Sequence, residues 1–401
     1  MKIVHLVGYY TPELGYQENY LAEEHKKMGH EVNVITSNLL YPFPNIKGIM
    51  KQLGMKFTSR KMKAGTENVG GIKVHRLPAI FEYADFILLS GLKRKLREIS
   101  PDIVFAHESR QSPPYYAAKW KKELGYVLVT DQHDFHHNIP RHNPVKKILR
   151  ELDYFFVRNV MVRKTLARSD AIIAVTQETK NYLVRTFGLH AKDVYLVELG
   201  VDIGSFRKSQ KARLELRKKY GIKNDEVVFS FAGTIVRRKG IELLIDAFSQ
   251  LKIAKSRLMI IGDGDKGYLQ ELKDLAKKKT SGKNIIFPGF VPKEKLPGYF
   301  SAVDVGVWPG NNSVIIMEAM ACELPIIMVD LQLSHLVKYS NGFSFVENDM
   351  EALKACMRKM MDVDRRKNMG QLSRKAVVDN YSYKKIAEKF IEIAKKAGKK
   401  R

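Results

Sequence analysis

Glu318 is a carboxylate set in an apolar run, Ser313-Val314-Ile315-Ile316-Met317-Glu318-Ala319-Met320-Ala321-Cys322-Glu323-Leu324-Pro325-Ile326-Ile327. The pattern predicts a loop, a short buried helix, and a strand restarting after Pro325. Asn311, Asn312 and Ser313 offer N-cap chemistry ahead of the helix. A helix start presents unpaired N–H groups and a positive dipole end, so it receives anions. A carboxylate one turn into an apolar helix is costly without a partner. A sugar nucleotide suits both features, with its diphosphate on the helix start and its ribose hydroxyls on Glu318. A core helix with one tolerated Glu is the alternative reading.

Three further stretches carry candidate chemistry. In Phe231-Ala232-Gly233-Thr234-Ile235-Val236-Arg237-Arg238-Lys239-Gly240 a strand ends, a basic turn follows, and a helix starts near Gly240. Consecutive cations there suit a di-anion; a solvated basic turn is the plainer reading. Gly262-Asp263-Gly264 and Gly289-Phe290-Val291 each follow a predicted strand, at the carboxyl ends where parallel sheets bind ligands. The loop Gly8 to Gly15 after the first strand lets backbone approach a ligand, but it is not GxGxxG, so a dinucleotide is unsupported. His133, Asp134, His136, His137 and His142 cluster in sequence but match no standard zinc spacing, so no metal is expected. Polar loop histidines account for His136, His137 and His142. His133, directly after the strand Tyr126 to Thr130, is the exception.

The elements that must position these residues follow a repeated pattern. Lys2 to Val7 reads as a buried strand, Gln17 to Met28 as a helix and Val32 to Thr36 as the next strand, a βαβ start. Further strands are predicted at 102–107, 126–130, 171–175 and 194–197. A second series begins with Val227 to Ala232 and continues at 257–261, 284–287, 303–307 and 325–328. Helices are predicted at about 239–251, 266–279, 293–301, 314–322, 350–361 and 364–379. This predicts an α/β chain of two doubly wound, Rossmann-like parallel-sheet domains, 1–200 and 201–380. A last helix, within 381–401, is expected to pack back toward the first domain.

Composition narrows the partners. The chain has 401 residues, 45% hydrophobic, and a net charge of +26, which implies an anionic partner. Two cysteines, Cys322 and Cys356, form no CxxC framework and fit a reducing cytoplasm. No secretory leader is read at the N-terminus, and no apolar run approaches the roughly 18 residues of a membrane span. Between Asn45 and Gly65 lie Lys47, Lys51, Lys56, Arg60, Lys61 and Lys63 without an acid, interleaved with Ile46, Ile49, Met50, Leu53, Met55, Phe57 and Met62. This predicts an interfacial segment for anionic lipid; a helix packed on the domain with a solvated basic face is the alternative. A second basic region runs from Arg141 to Arg168. No zinc-finger, homeodomain or RNP-like signature is present, so nucleic acid is not an expected partner.

The ordered set of Gly-rich loop, Lys239-Gly240, Gly262-Asp263-Gly264, Pro288-Gly289-Phe290-Val291, Glu318-Ala319-Met320-Ala321 and Asn341-Gly342-Phe343 resembles the family-four retaining nucleotide-sugar glycosyltransferases with the GT-B fold. The N-terminal Pro12-Glu13-Leu14-Gly15, followed by Gly29-His30-Glu31-Val32, resembles them also. The resemblance implies two domains facing a cleft, acceptor-binding first and nucleotide-sugar-binding second. It implies that Lys239 holds the donor diphosphate, with Gly233, Thr234 and Arg238 beside it, and that Glu318 binds the ribose. The amides of Asn312, Ser313 and Val314 would cradle phosphate, and Phe290 and Val291 would sit near the base, with Gly262, Asp263 and Gly264 in the same donor-binding set. Gly15 and Tyr16 would approach the diphosphate, and His133 would stand near the donor sugar. Gly310 stands where the family commonly has an acid, Thr234 where it often has Arg, and Glu323 where it usually has Gly. Arg237 or Arg238 would supply the missing charge.

The expected function is retaining, metal-independent transfer of a hexose from a nucleotide-sugar, with UDP favoured, to a lipid-linked or glycan acceptor. No cofactor is expected beyond that co-substrate. The expected location is peripheral, on the cytoplasmic face of an anionic membrane. A sugar-nucleotide epimerase of related fold and a nucleic-acid-binding protein are the alternatives. The sugar, acceptor, linkage and oligomeric state are not written in the sequence.

Overall fold

A computed structural model describes the chain except residues 44–45, 53, 84–85, 134–158, 281–283, 311–312, 332 and 400–401, and the side chains of Ile49 and Gln52. Asp134, His136, His137, His142 and Asn312, and the second basic region as far as residue 158, therefore lie outside the described residues. The chain divides into two compact units: Met1–Leu199 with Tyr383–Arg401, and Gly200–Ser382.

The first unit carries an eight-stranded sheet. Its strands are β1 (Lys2–Leu6), β2 (Glu31–Ser37), β3 (Gly65–Val69), β4 (Ile72–Leu77), β7 (Ile103–Ala106), β8 (Val127–Gln132), β9 (Ala171–Ala174) and β10 (Val194–Leu196). The order is β10-β9-β8-β7-β1-β2-β4-β3. All pairings are parallel except β3 on β4. The inner strands are buried along nearly their whole length because helices cover both faces, as in a buried parallel sheet. Strand β3 is exposed and polar, which blunts the edge it forms. A separate two-stranded hairpin, β5 (Ala79–Tyr83) and β6 (Phe86–Leu89), lies outside this sheet. The final helix, Tyr383–Gly398, buries Ile386, Phe390 and Ile393 with Ile3, Phe105 and Val129, and Tyr383 stacks on Tyr20 at 4.1 Å.

The second unit is an all-parallel six-stranded sheet in the order β13-β12-β11-β14-β15-β16. Here β11 is Val227–Ala232, β12 Ser256–Ile261, β13 Ile285–Gly289, β14 Val305–Trp308, β15 Ile326–Val329 and β16 Gly342–Phe345. Trp308 is fully buried, and its Nε1 donates to the Ala232 carbonyl at 3.0 Å, tying β14 to β11 near their carboxyl ends. At the amino ends Asp304 accepts from Arg213, Arg217 and the Val228 amide.

The chain reverses direction across each sheet at one place, between β1 and β7 in the first unit and between β11 and β14 in the second. Such switch points open a crevice at the strand carboxyl ends. Both candidate sites lie there.

Candidate active site

In the second unit, β11 runs into Gly233 and then into a tight turn, Arg237–Lys239. Gly240 ends that turn at φ 62° and starts the helix Ile241–Leu251. Lys239 is buried, 4% exposed. Burial, with like charge from Arg238 beside it, pulls its ammonium down to about 8. Arg237 is committed elsewhere: it pairs with Glu271 at 2.6 Å and lies over the Tyr268 ring at 4.9 Å. Arg238 and Thr234 are exposed. Of the two arginines offered for the missing charge, Arg238 is thus the one left available.

Gly310, where the family commonly has an acid, has a steric reason. It follows β14 and lies against the basic turn, so a Cβ there would come 2.5 Å from the Arg238 carbonyl oxygen and 2.6 Å from the Lys239 carbonyl carbon. Gly262 is a second close approach, at φ 141°, where a Cβ would fall on the Gly233 carbonyl oxygen. Ile235 bridges to Gly264, and Asp263 accepts from the Gly264 amide at 2.8 Å. After β13, Phe290 is 53% exposed while Val291 is buried. An exposed aromatic face at a strand's carboxyl end is suited to stacking a base.

Glu318 sits in the first turn of the helix Ile315–Ala321. The N-cap is Val314, in helical geometry and without a side-chain cap, which corrects the expectation for Ser313; Asn311 and Asn312 lie outside the described residues. The helix starts at Ile315, one residue after the predicted 314, with Ile316 N–H donating to the Ser313 carbonyl and Met317 N–H to the Val314 carbonyl. The Glu318 side chain is 13% exposed and lies 3.6 Å from the Lys293 ammonium. Burial raises its carboxyl above the ordinary value; Lys293 opposes this and Asp202 adds to it.

In the first unit a cavity of about 230 Å³ opens beside Val7, with Tyr9, Tyr16, Glu18, His107 and His133 among its lining. Tyr16, 40% exposed, follows Gly15, which takes φ 63° to end the turn Pro12–Leu14. Burial raises the Glu18 carboxyl above its usual range.

Below the cavity runs a buried chain of rings. His25 Nε2 meets the Ala387 carbonyl at 3.2 Å, His25 Nδ1 meets His5 Nε2 at 3.0 Å, His5 Nδ1 meets His107 Nε2 at 2.9 Å, and His107 Nδ1 meets Asp131 Oδ2 at 2.7 Å. The four bonds need four protons, one more than three neutral imidazoles carry, and burial, which holds His25 and His5 neutral, puts the extra one on His107. A carbonyl only accepts, so His25 Nε2 donates. Neutral His25 then accepts at Nδ1, so His5 Nε2 donates. Neutral His5 accepts at Nδ1, so His107 Nε2 donates. Asp131 is a carboxylate and only accepts, so His107 Nδ1 donates too. His107 is therefore an imidazolium paired with Asp131. Burial holds His25 down to about 3 and His5 well below its usual value. For His107 the Asp131 charge outweighs burial and raises it, and Asp131 is lowered in turn.

His133 follows β8, with Nε2 3.6 Å from Asp131 Oδ1, an ion-pair distance beyond hydrogen-bond length. Burial opposes its charge, but Asp131 prevails and lifts it to about 10. An imidazole held protonated at neutral pH donates to an oxygen and is a poor general base. Ligand atoms of His107, Asp131 and His133 lie within 4.8 Å of one another, a spacing that suits a cation. In the hydrogen-bonded arrangement both His107 nitrogens carry protons and offer no lone pair.

His5, His25, His107, Asp131 and Glu18 are not among the residues that sequence reasoning singles out. His107 has a usable signal: it follows β7 as His133 follows β8. His5 and His25 have none, since each reads as one polar residue in a strand or helix.

Two family models match the chain: Glycosyltransferase Family 4 over residues 19–205 and Glycosyl transferases group 1 over residues 212–376. A D-inositol 3-phosphate glycosyltransferase of Xylanimonas cellulosilytica is 29% identical over 173 residues, 41% of this chain and 41% of that relative's length. The alpha-monoglucosyldiacylglycerol synthase of Acholeplasma laidlawii is 27% identical over 274 residues, 64% of this chain and 63% of the relative. The crystal structure of HepE from Anabaena in complex with UDP superposes with a TM-score of 0.69 over 99% of this chain and 100% of that one, at 17% identity. The chain belongs to the family-four, group 1 glycosyltransferases and has their GT-B fold.

Proposed function

We propose that the protein transfers a hexose from a UDP-sugar, with retention at the anomeric carbon, to a lipid-linked or glycan acceptor at the cytoplasmic face of an anionic membrane. The observation that carries this reading is the Lys239 turn, where a buried cation sits at the switch point with a second cation, Arg238, adjoining it. A diphosphate supplies the counter-charge that such a site favours. Glu318 would accept from ribose hydroxyls, and Phe290 would stack on the base. UDP is favoured because the structurally similar Anabaena protein was crystallised with it. A lipid acceptor is supported by the relative whose name is alpha-monoglucosyldiacylglycerol synthase.

In this reading the leaving diphosphate deprotonates the acceptor hydroxyl, and the protein supplies positioning and charge. The cationic His133 fits such a scheme, because it donates to a sugar oxygen instead of removing a proton. Lys239 and Arg238 supply the charge stabilisation that a metal would otherwise give, so activity is expected to persist in EDTA.

The test is a thermal-shift panel of UDP-, GDP- and ADP-sugars, followed by transfer assays with the stabilising donor and NMR of the product. An α-configured product from an α-linked donor supports the reading, and inversion contradicts it. His133→Ala is expected to impair transfer more than UDP binding; unchanged transfer kinetics would reject its role. An isomerised sugar appearing without acceptor would indicate an epimerase. Oligonucleotide binding without any donor-induced stabilisation would indicate a nucleic-acid-binding protein.

A further inference from the structure

The stretch Ile46 to Lys63 carries cations and apolar residues together in sequence, but the fold separates them. Ile46 and Met50 are buried with Leu40, and Phe43, Met55, Phe57 and Met62 pack against that cluster. Lys47, Lys51, Lys56, Lys61 and Lys63 remain exposed. Among the described side chains, the apolar half of the predicted interfacial segment is spent on the protein's own core, and a basic surface is left.

Exposed apolar groups occur instead on the hairpin β5–β6. Ile80 is 68% exposed, Phe81 51% and Tyr83 44%. A regular strand alternates its side chains between two faces. Here the register slips between Ala79 and Phe81, and both Ile80 and Phe81 end up in solvent. The opposite strand holds the hairpin down: Ile87 is fully buried, and its carbonyl accepts from Ser112 Oγ. Single exposed apolar side chains need no explanation, but three within four residues form a patch.

The hairpin is joined to the basic stretch. Glu82 accepts from Arg60 at 2.6 and 3.0 Å and from the Tyr9 hydroxyl at 2.6 Å. Arg60 neutralises that carboxylate and draws the segment carrying Lys56, Lys61 and Lys63 alongside. Asp85 lies outside the described residues. Tyr9 in turn lines the 230 Å³ cavity. Apolar patch, cations and cavity wall are thus connected through one side chain.

We propose that Ile80, Phe81 and Tyr83 insert into an anionic lipid surface, with the lysines flanking Arg60 holding the headgroups. Apolar insertion combined with attraction to anionic lipid is the pair of forces interfacial binding uses. The proposal rests on the membrane-face reading above and names the surface responsible. It also gives a lipid-linked acceptor a short route from the bilayer to the cavity beside Tyr9.

The test uses the full chain with vesicles of phosphatidylglycerol and phosphatidylcholine, or of phosphatidylcholine alone. Ile80→Ser, Phe81→Ser and Tyr83→Ser combined should weaken binding to the anionic vesicles at least tenfold, with the UDP-glucose thermal shift unchanged. Lys56→Gln, Lys61→Gln and Lys63→Gln combined should remove the preference for anionic lipid. In a separate Phe81→Trp variant, the added indole emission should shift to the blue and be quenched by brominated lipid only with anionic vesicles. Wild-type vesicle binding by the serine variant overturns the proposal, as does an indole signal in the Phe81→Trp variant that stays unchanged on bound vesicles. So does a concentration-dependent dimer that the serine substitutions dissociate, which would assign the patch to a second copy. Hairpin-dependent vesicle binding without any nucleotide-sugar binding leaves this surface standing and defeats the proposed transfer instead.

Discussion

The cavity of the first unit and the donor region of the second handle buried charge in opposite ways. In the first, the imidazolium of His107 meets the Asp131 carboxylate at 2.7 Å, and the remaining rings are neutral and hydrogen-bonded in series. Histidine and carboxylate are each driven toward the charged form. In the second, Lys239 is lowered and Glu318 raised, so burial drives both toward neutrality. The His107–Asp131 pair completes its electrostatics internally, while Glu18 in the same cavity is raised by burial as Glu318 is. In the second, burial and the like charge of Arg238 act together on Lys239, and burial outweighs Lys293 at Glu318, so a ligand that complements the two is favoured.

The largest effect that contrast predicts is on stability. Asp131→Ala strands the His107 imidazolium and should cost about 3–5 kcal/mol, the range for breaking a buried ion pair. Denaturant unfolding measures it, and a loss below about 1 kcal/mol would show that the pair is not integral to the fold. His5→Phe keeps the ring shape but leaves His25 Nδ1 and His107 Nε2 facing carbon. It should cost about 2 kcal/mol, within the range for stranded buried polar groups, while UDP affinity is unchanged. Nitrogen-15 spectra of the wild type should show His107 doubly protonated and His5 and His25 neutral at pH 7; a neutral His107 would refute the proton assignment. The smallest effect on folding belongs to the second region. Lys239→Ala and Glu318→Ala should each lower donor affinity or turnover at least tenfold, about 1.4 kcal/mol or more, with stability nearly intact. Wild-type affinity and rate in both would sink the donor-site assignment.

The same contrast explains what can be read from the sequence. Val227–Ala232 is legible to the residue, and the Lys239 turn, the Gly262 approach and the Glu318 helix are all visible, because each is a local strand-turn-helix signal. The histidine chain is not. It joins His5, His25, His107, Asp131 and Ala387, whose proximity arises from strand order and from docking of the last helix. The antiparallel β3 and the hairpin β5–β6 escape a sequence reading, since Gly65 to Leu89 mixes charged and apolar residues without a clean period. The stretch Ile46 to Lys63 is legible as amphipathic, but not which body its apolar side would cover. Why Glu323 stands where the family usually has Gly has a partial answer: it takes φ 60°, a conformation that favours glycine, and pairs with Lys208 at 3.2 Å.

The most direct test is calorimetric titration of UDP into the protein at pH 8 in two buffers of different ionisation enthalpy. Lys239 lies near its midpoint there, its charge present below about 8 and lost above it. A diphosphate bound to it favours the charged form, so binding should take up roughly half a proton by linkage. Affinity should also fall as pH rises through that value. In Lys239→Arg, which stays charged, uptake should vanish and the pH profile should flatten. Tight UDP binding with the same proton uptake in wild type and Lys239→Arg, or no UDP binding by a folded wild type, would contradict a donor site built on Lys239.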